Sequence, residues 1–139
     1  MKKICFVCLG NICRSPMAEF VMKSMTDAFE VESRATSGWE HGHPIHSGTQ
    51  GIFTKYAIPF DSAKDSTQIS EADFAYFDVI IGMDASNVAN LKKLSEPKYH
   101  DKIFQFDTES VPDPYYTGDF EDTYARVVSG CQKWIDQLS

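Results

Sequence analysis

The sequence has no apolar run near the ~18 residues that a membrane-spanning helix needs. Its first residues form no long apolar segment of the kind that directs secretion. We therefore expect a cytoplasmic protein without membrane insertion. Basic residues are also scarce, with 13 Lys and Arg against 20 Asp and Glu and a formal net charge of −7 at pH 7. Because an acidic surface repels phosphates, this charge argues against nucleic acid as a partner.

Cysteine is sparse as well, with four in 139 residues: Cys5, Cys8, Cys13 and Cys131. Their spacing is unlike that of small disulfide-rich secreted domains, and the chain is long enough to bury a core without disulfides. A zinc site made by the first three is disfavoured, because residues three apart on a strand face opposite sides of the sheet. We expect reduced cysteines in one domain spanning residues 1–139, with no metal and no other cofactor.

Strand and helix patterns alternate along the chain. Strands are predicted at 3–9, 30–37, 78–83 and 102–106, and helices at 16–28, 49–56, 70–75, 85–94 and 124–138. The alternation predicts a single α/β domain whose four-stranded parallel twisted sheet carries helices on both faces. Because sites in such sheets lie beyond the carboxyl ends of the strands, we expect segments 8–15, 38–39 and 83–84 to converge.

The most informative segment is 8–16, which reads Cys-Leu-Gly-Asn-Ile-Cys-Arg-Ser-Pro. It joins an apolar strand to a helix, for which Ser15 is a suitable N-cap and Pro16 a favoured first residue. A tight loop of this kind can direct successive N–H groups at one point, where the helix N-terminus adds partial positive charge. We therefore expect an anion site with Cys8, held as a thiolate, at its floor and the Arg14 guanidinium at its rim.

A thiolate beside a bound dianion indicates phosphoryl transfer to sulfur. Cys8 would attack in line and form a phosphocysteine intermediate. Arg14 would bind two phosphate oxygens through a planar fork that a lysine does not reproduce. Ser15 would donate its hydroxyl proton to the Cys8 sulfur, in addition to capping the helix.

Such a reaction also needs a general acid, and Asp113 is the predicted one. Prolines on both sides restrict its backbone and hold the carboxylate on a stiff loop. The neighbouring aromatic side chains would desolvate the carboxyl group and favour its protonated form. An aspartate between prolines is also common in ordinary turns, so the prediction depends on the cysteine loop upstream.

Taken together, segments 7–16 and 113–116 resemble the low-molecular-weight protein-tyrosine phosphatase family. The resemblance covers essentially the whole chain, including Ser-Gly-Trp at 37–39 and Met-Asp-x-Ser-Asn at 83–87. It implies flavodoxin-like winding of the sheet, no metal, and hydrolysis of phosphotyrosine and small aryl phosphates in a phosphocysteine mechanism. Its expected partners are tyrosine-phosphorylated proteins.

The resemblance also assigns the roles of these side chains: Cys8 is the nucleophile, Arg14 binds the phosphate, Ser15 stabilises the thiolate and Asp113 is the general acid. It implies that the loop binds phosphate at Leu9, Gly10, Asn11, Ile12, Cys13 and Arg14. Asn11 is expected in a left-handed conformation, hydrogen-bonded to Ser15 and Ser33, and Asn tolerates positive φ better than most residues. Aromatic residues would line a cleft deep enough to select phosphotyrosine over the shorter phosphoserine: Trp39, Tyr115 and Tyr116.

The sequence departs from the family pattern in two segments. An Asp-Pro-x-Arg element that many members carry is replaced by 42–47, and a histidine that braces the loop asparagine in many members is missing from 62–68. The support of Asn11 is therefore not assigned by the sequence. Three nearby histidines are interpreted as residues of the cleft rim, and not as metal ligands: His41, His43 and His46.

Two alternatives belong to other functional classes. A thiol-dependent arsenate reductase shares this kind of loop but needs a second pair of cysteines, and only Cys131 lies downstream. A phosphate- or phosphotyrosine-binding module would need neither a nucleophile nor an acid. Within the loop, Cys13 is interpreted either as the partner of a reversible, protective disulfide with Cys8 or as a small buried residue.

Overall fold

Strands and helices alternate in the predicted order in a computed structural model that describes all 139 residues. The strands are β1 Lys2–Cys8, β2 Phe29–Ala35, β3 Val79–Gly82 and β4 Ile103–Gln105. The helices are α1 Arg14–Met25, α2 Ser47–Lys55, α3 Glu71–Tyr76, α4 Ala85–Leu94, α5 Pro114–Thr117 and α6 Phe120–Leu138, with a 3₁₀ turn at Pro97–Lys102. No helix is both long enough and apolar enough to cross a membrane.

The four strands form one parallel sheet in the order β2-β1-β3-β4. Phe6 in β1 is paired with Ser33 of β2 on one side and with Ile81 of β3 on the other. The chain therefore leaves β1 toward one edge of the sheet and later crosses to the other edge, so the switch in strand order lies beside β1. The loop that follows Cys8 starts at this point, where sites form in parallel α/β sheets.

Helices cover both faces of the sheet, as the pattern predicted. Ile4 and Phe6 of β1 belong to a large apolar cluster with α1, α2 and α6. Cys5 and Val7 belong to a second, smaller cluster with α3 and α4. Cys8 belongs to the first cluster, so Cys5 and Cys8 lie on opposite faces. The fold is a single α/β domain, and the predicted fold class is confirmed.

The predicted start of α1 is wrong. The helix begins at Arg14, and Cys13 occupies the N-cap with φ −117° and ψ −80° and no side-chain capping bond. Ser15 is consequently a helical residue, and Pro16 is the third residue of the helix and not the first. In this first turn, the N–H of Ser15 donates to the Cys8 sulfur at 3.4 Å, so the helix N-terminus faces the loop that precedes it.

The other helix starts follow ordinary capping chemistry. Asp84 caps α4 as predicted, in a reciprocal capping box with Asn87. The short helix α5 was not predicted, because its segment has the composition of a turn; Asp113 caps it by accepting from the N–H of Tyr115. Helix α6 begins at Phe120, four residues before the predicted start, because Asp119 accepts from the N–H of Asp122.

Candidate active site

The Cys8 sulfur lies at the carboxyl end of β1 and is surrounded by hydrogen-bond donors. The backbone N–H groups of Asn11 and Ser15 point at it, with N···S distances of 3.3 and 3.4 Å. The Ser15 hydroxyl is 3.0 Å away. Asn11 Nδ2 donates to Ser15 Oγ at 2.8 Å, and the hydroxyl proton has two acceptors within reach, the Cys8 sulfur at 3.0 Å and the Arg34 carbonyl at 3.4 Å. Two backbone N–H groups and one hydroxyl thus surround the Cys8 sulfur.

Asn11 has φ 56°, which is the left-handed conformation that the family resemblance implied. Its Nδ2 group donates to Ser15 Oγ at 2.8 Å and to Ser33 Oγ at 3.0 Å. Its Oδ1 accepts from the backbone N–H of Thr67 at 3.1 Å. The support that the sequence left open is therefore a main-chain group of the segment 62–68, in addition to two hydroxyls.

A charged cluster around the buried Glu19, behind Asn11, was missed by the sequence analysis. Ser33 Oγ donates to Glu19 Oε1 at 2.6 Å, and Glu19 is only 3% exposed. Lys23 donates to the same carboxylate at 2.7 Å, and Lys64 donates to the Ser33 carbonyl at 2.9 Å. Burial lowers the pKa of Lys64, although the charge of Glu19 opposes that shift. The spacing of Glu19 and Lys23 indicates an ordinary surface pair, so local sequence contained no sign of burial.

Arg14 is 3% exposed and is held on one side by two acceptors. Its Nη1 group donates to Asp84 Oδ2 at 2.7 Å and to the carbonyl of Val111 at 2.9 Å. Its Nη2 group is 3.4 Å from Asp113 Oδ2, and its buried Nε has no partner. An unpaired buried donor costs about 1–3 kcal/mol, so this nitrogen is suited to a ligand that supplies an acceptor.

Asp84 shows how strongly Arg14 is held. Burial favours the neutral acid, but the hydrogen bond from Arg14, the N–H of Asn87 and the charge of Arg14 outweigh it and lower the pKa of Asp84. Asp84 is thus an anion that fixes one edge of the guanidinium. The other edge, with Nε and Nη2, remains for an anion in the loop.

The predicted cleft residues lie around one cavity of about 210 Å³ above the loop. Its walls include Trp39, Asp113, Tyr115 and Tyr116, and its floor includes Cys8. All three aromatic side chains are largely exposed, so they lie at the mouth and not in the core. Two further residues that the sequence analysis did not select also line the cavity: Ser37 and Glu40.

The remaining cysteines and histidines show no metal-binding arrangement. All four cysteines are free, and burial raises the pKa of Cys5, Cys13 and Cys131, so these three are thiols. No three His, Cys, Asp or Glu side chains are grouped so that they could hold a metal ion. His43 is exposed and its Nδ1 lies 2.5 Å from Glu40 Oε2. His46 is half-buried, and the edge of Tyr115 lies against its ring with centroids 5.9 Å apart.

Comparison with known proteins gives consistent results. Residues 3–139 match the model of the family described as low molecular weight phosphotyrosine protein phosphatase. The chain is 41% identical over 149 residues to the low molecular weight protein-tyrosine-phosphatase PtpA of Staphylococcus aureus, covering 99% of this chain and 94% of that protein.

Solved structures agree with this match. The low molecular weight protein tyrosine phosphatase SP-PTP of Streptococcus pyogenes is 59% identical, with a TM-score of 0.98, over 100% of this chain and 94% of its own. A Drosophila arginine phosphatase is 27% identical, with a TM-score of 0.90, over 100% of this chain and 98% of its own.

The protein is thus a cysteine-dependent hydrolase built on a parallel α/β sheet. The chain belongs to the low molecular weight protein-tyrosine phosphatase family, and the resemblance stated from the sequence is confirmed.

Proposed function

We propose that the protein hydrolyses phosphotyrosine in tyrosine-phosphorylated proteins, and small aryl phosphates, through a phosphocysteine intermediate on Cys8. The observation that carries the proposal is the pairing of two features in one loop. The Cys8 sulfur accepts from two backbone N–H groups and a hydroxyl at the floor of the cleft. The buried Nε of Arg14 has no protein acceptor.

In the first step, the Cys8 thiolate attacks phosphorus and the bond to the phenolic oxygen breaks. The backbone N–H groups of 9–14, together with Nε and Nη2 of Arg14, stabilise the charge on the phosphoryl oxygens. Asp113 gives its proton to the departing phenolate. Its position supports this role, because its Oδ2 faces the same edge of Arg14 that the phosphate would occupy.

In the second step, a water molecule attacks phosphorus and the phosphorus–sulfur bond breaks. Asp113, now a carboxylate, accepts a proton from the water, and inorganic phosphate leaves. The Ser15 hydroxyl donates to the departing Cys8 thiolate, which makes the sulfur a better leaving group. The chain of hydrogen bonds through Asn11 keeps this hydroxyl in place.

The nucleophile is tested by replacing Cys8 with Ser. Turnover of a chromogenic aryl phosphate should be abolished, while inorganic phosphate and vanadate still bind, because their donors are backbone groups and Arg14. Quenching the wild-type reaction should yield a peptide phosphorylated at Cys8. Cys131→Ala, which removes a buried thiol outside the loop, should turn over normally. Activity retained by Cys8→Ser would contradict the assignment.

Substrate class is tested with phosphotyrosine, phosphoserine and phosphoarginine peptides. The aromatic walls favour a planar ring that reaches the loop, so phosphotyrosine should be the preferred substrate. Phosphoarginine is included because one structural relative is an arginine phosphatase. A preference for phosphoserine would contradict a depth-based selection.

The alternative classes are less well supported. Arsenate reduction needs a thiol relay, and Cys131, the one cysteine beyond the loop on the downstream side, is fully buried in α6. A pure binding module does not explain Asp113 beside Arg14. We also propose a reducing, cytoplasmic location and a protective Cys8–Cys13 disulfide under oxidation. Both are predictions; in the structure all four cysteines are free.

A further inference from the structure

His46 lies where the phosphate-binding loop, α2, α5 and α6 meet. Its backbone N–H donates to the carbonyl of Ile12 at 2.9 Å. Its Nδ1 accepts from the N–H of Gly48 at 3.0 Å and so caps α2. Its ring stacks on Phe120, with centroids 5.2 Å apart and planes 20° apart, and meets the edge of Tyr115 at 5.9 Å and 77°.

We propose that His46 is a positioning residue that fixes the Tyr115 wall of the cleft relative to the phosphate-binding loop. It would thereby set affinity for the aryl part of the substrate and not for its phosphate group. This inference rests on the proposed function, in which Tyr115 flanks the substrate ring. It concerns the segment 42–47, where the sequence departs from the family pattern.

The imidazole ring has little freedom to move. The Phe120 ring lies so close to Gly48 that a Cβ on that glycine would be 2.4 Å from Phe120 Cζ. Phe120 therefore packs directly on the backbone of α2 and supports one face of the His46 ring. The Gly48 N–H bond fixes the ring's rotation, and the bond to Ile12 fixes its distance from the loop.

Tyr115 depends on this contact more than its position in a helix suggests. Helix α5 has only four residues, and Tyr115 is 53% exposed. Its other aromatic neighbour is Tyr116, which is 75% exposed and itself weakly anchored. The edge contact with His46 is thus the aromatic contact that connects this side of the cleft to the body of the domain.

Two substitutions separate the aromatic contact that the His46 ring makes with Tyr115 from the capping of α2 by His46 Nδ1. His46→Asn keeps an acceptor for the Gly48 N–H, because Asn is a strong N-cap residue, but it removes the ring. His46→Phe keeps a ring between Phe120 and Tyr115 but removes the acceptor. If the ring positions the wall, His46→Asn should weaken substrate affinity and leave thermal stability near that of the wild type, whereas His46→Phe should lower thermal stability and leave substrate affinity near that of the wild type.

The experiment measures steady-state turnover of p-nitrophenyl phosphate and competitive inhibition by inorganic phosphate in the intact protein. His46→Asn should raise KM about two- to tenfold, the range expected for one aromatic contact, with kcat and the phosphate inhibition constant unchanged. His46→Phe should keep KM near the wild-type value and lower Tm. In a Tyr115→Leu background, His46→Asn should have no further effect on KM.

Three results would overturn the inference. The first is an unchanged KM in His46→Asn. The second is an equal rise in KM and in the phosphate inhibition constant, which would place the effect in the loop and not in the wall. The third is the same KM increase in both variants. Absence of wild-type turnover would overturn the proposed function, and this inference with it, whereas normal wild-type turnover with any of the three results overturns this inference alone.

Discussion

Asp113 makes two separate contacts with its two carboxylate oxygens. Oδ1 accepts from the N–H of Tyr115 and begins α5, while Oδ2 faces Arg14 at 3.4 Å. The proposed acid is therefore also a structural cap, and its removal costs about 1 kcal/mol of local stability in addition to any effect on catalysis. A kinetic test has to separate these two contributions.

We expect Asp113→Ala to reduce kcat by about 10²–10⁴-fold for aryl phosphates with poor leaving groups. The loss should be much smaller for good leaving groups, because a stable phenolate departs without a proton. Asp113→Asn keeps the capping acceptor and should show the same dependence with Tm near the wild-type value. Steady-state rates over a series of phenols of graded acidity measure this. An equal loss across the series would contradict an acid role.

Other single residues show what local sequence can and cannot predict. The left-handed Asn11 and the convergence of Trp39 and Asp113 on the Cys8 loop follow from turn chemistry, the resemblance and the rule for strand ends. Glu19 was not recognised, and the packing of His46 on Phe120 was not predicted, because both depend on segments distant in sequence. The N-cap role of Ser15 was wrong, because its hydroxyl faces the sulfur and not the first turn.

Helix α6 approaches the sheet closely because one of its residues has no side chain. A Cβ on Gly130 would lie 2.2 Å from two atoms of the Phe106 ring, which in turn makes an edge contact with Phe6 in β1. Glycine within a helix normally costs about 0.5–1 kcal/mol relative to alanine. At Gly130 the close approach of the helix to Phe106 outweighs that cost, so replacing this glycine with alanine should not stabilise the protein.

Gly130→Ala should lower the free energy of unfolding by about 1–3 kcal/mol, because the added methyl group overpacks the core. Gly51→Ala is the matched control, since it lies within α2 and its Cβ would meet nothing within 4 Å. That variant should gain about 0.5–1 kcal/mol. Urea unfolding with an unchanged m-value measures both differences. Stabilisation by both substitutions would show that α6 adjusts freely.

Among the secondary-structure elements, the periodic patterns predicted every strand and the five longer helices. They did not predict α5, whose residues have turn composition and become helical because Asp113 caps them. The start of α6 was placed too late, since the apolar stripe begins after its first polar turn. Capping aspartates were the available signal in both cases, and apolar periodicity does not detect them.

For the molecule as a whole, Arg14 connects the ends of separate segments. It joins the start of α1 to Asp84 after β3 and to the loop 111–113. Stability and the proposed phosphate binding therefore depend on the same guanidinium, and acid should weaken the stability. Because the pKa of Asp84 is lower in the folded protein than in the unfolded chain, the protonated unfolded state is favoured as the pH falls.

The stabilisation from Asp84 is fully present above its unfolded pKa of about 3.9 and is lost as the pH falls through its lower folded pKa. The free energy of unfolding should therefore fall less steeply below about pH 4 in Asp84→Asn than in the wild type. The chain has 20 Asp and Glu residues, and the contribution of the others is common to both proteins. Asp101→Asn, at an exposed position, should keep the wild-type slope. Urea unfolding at a series of pH values measures how the free energy of unfolding changes with pH in each protein. If this free energy fell equally steeply in the wild type and in Asp84→Asn, the Arg14–Asp84 pair would not couple the site to the stability of the fold.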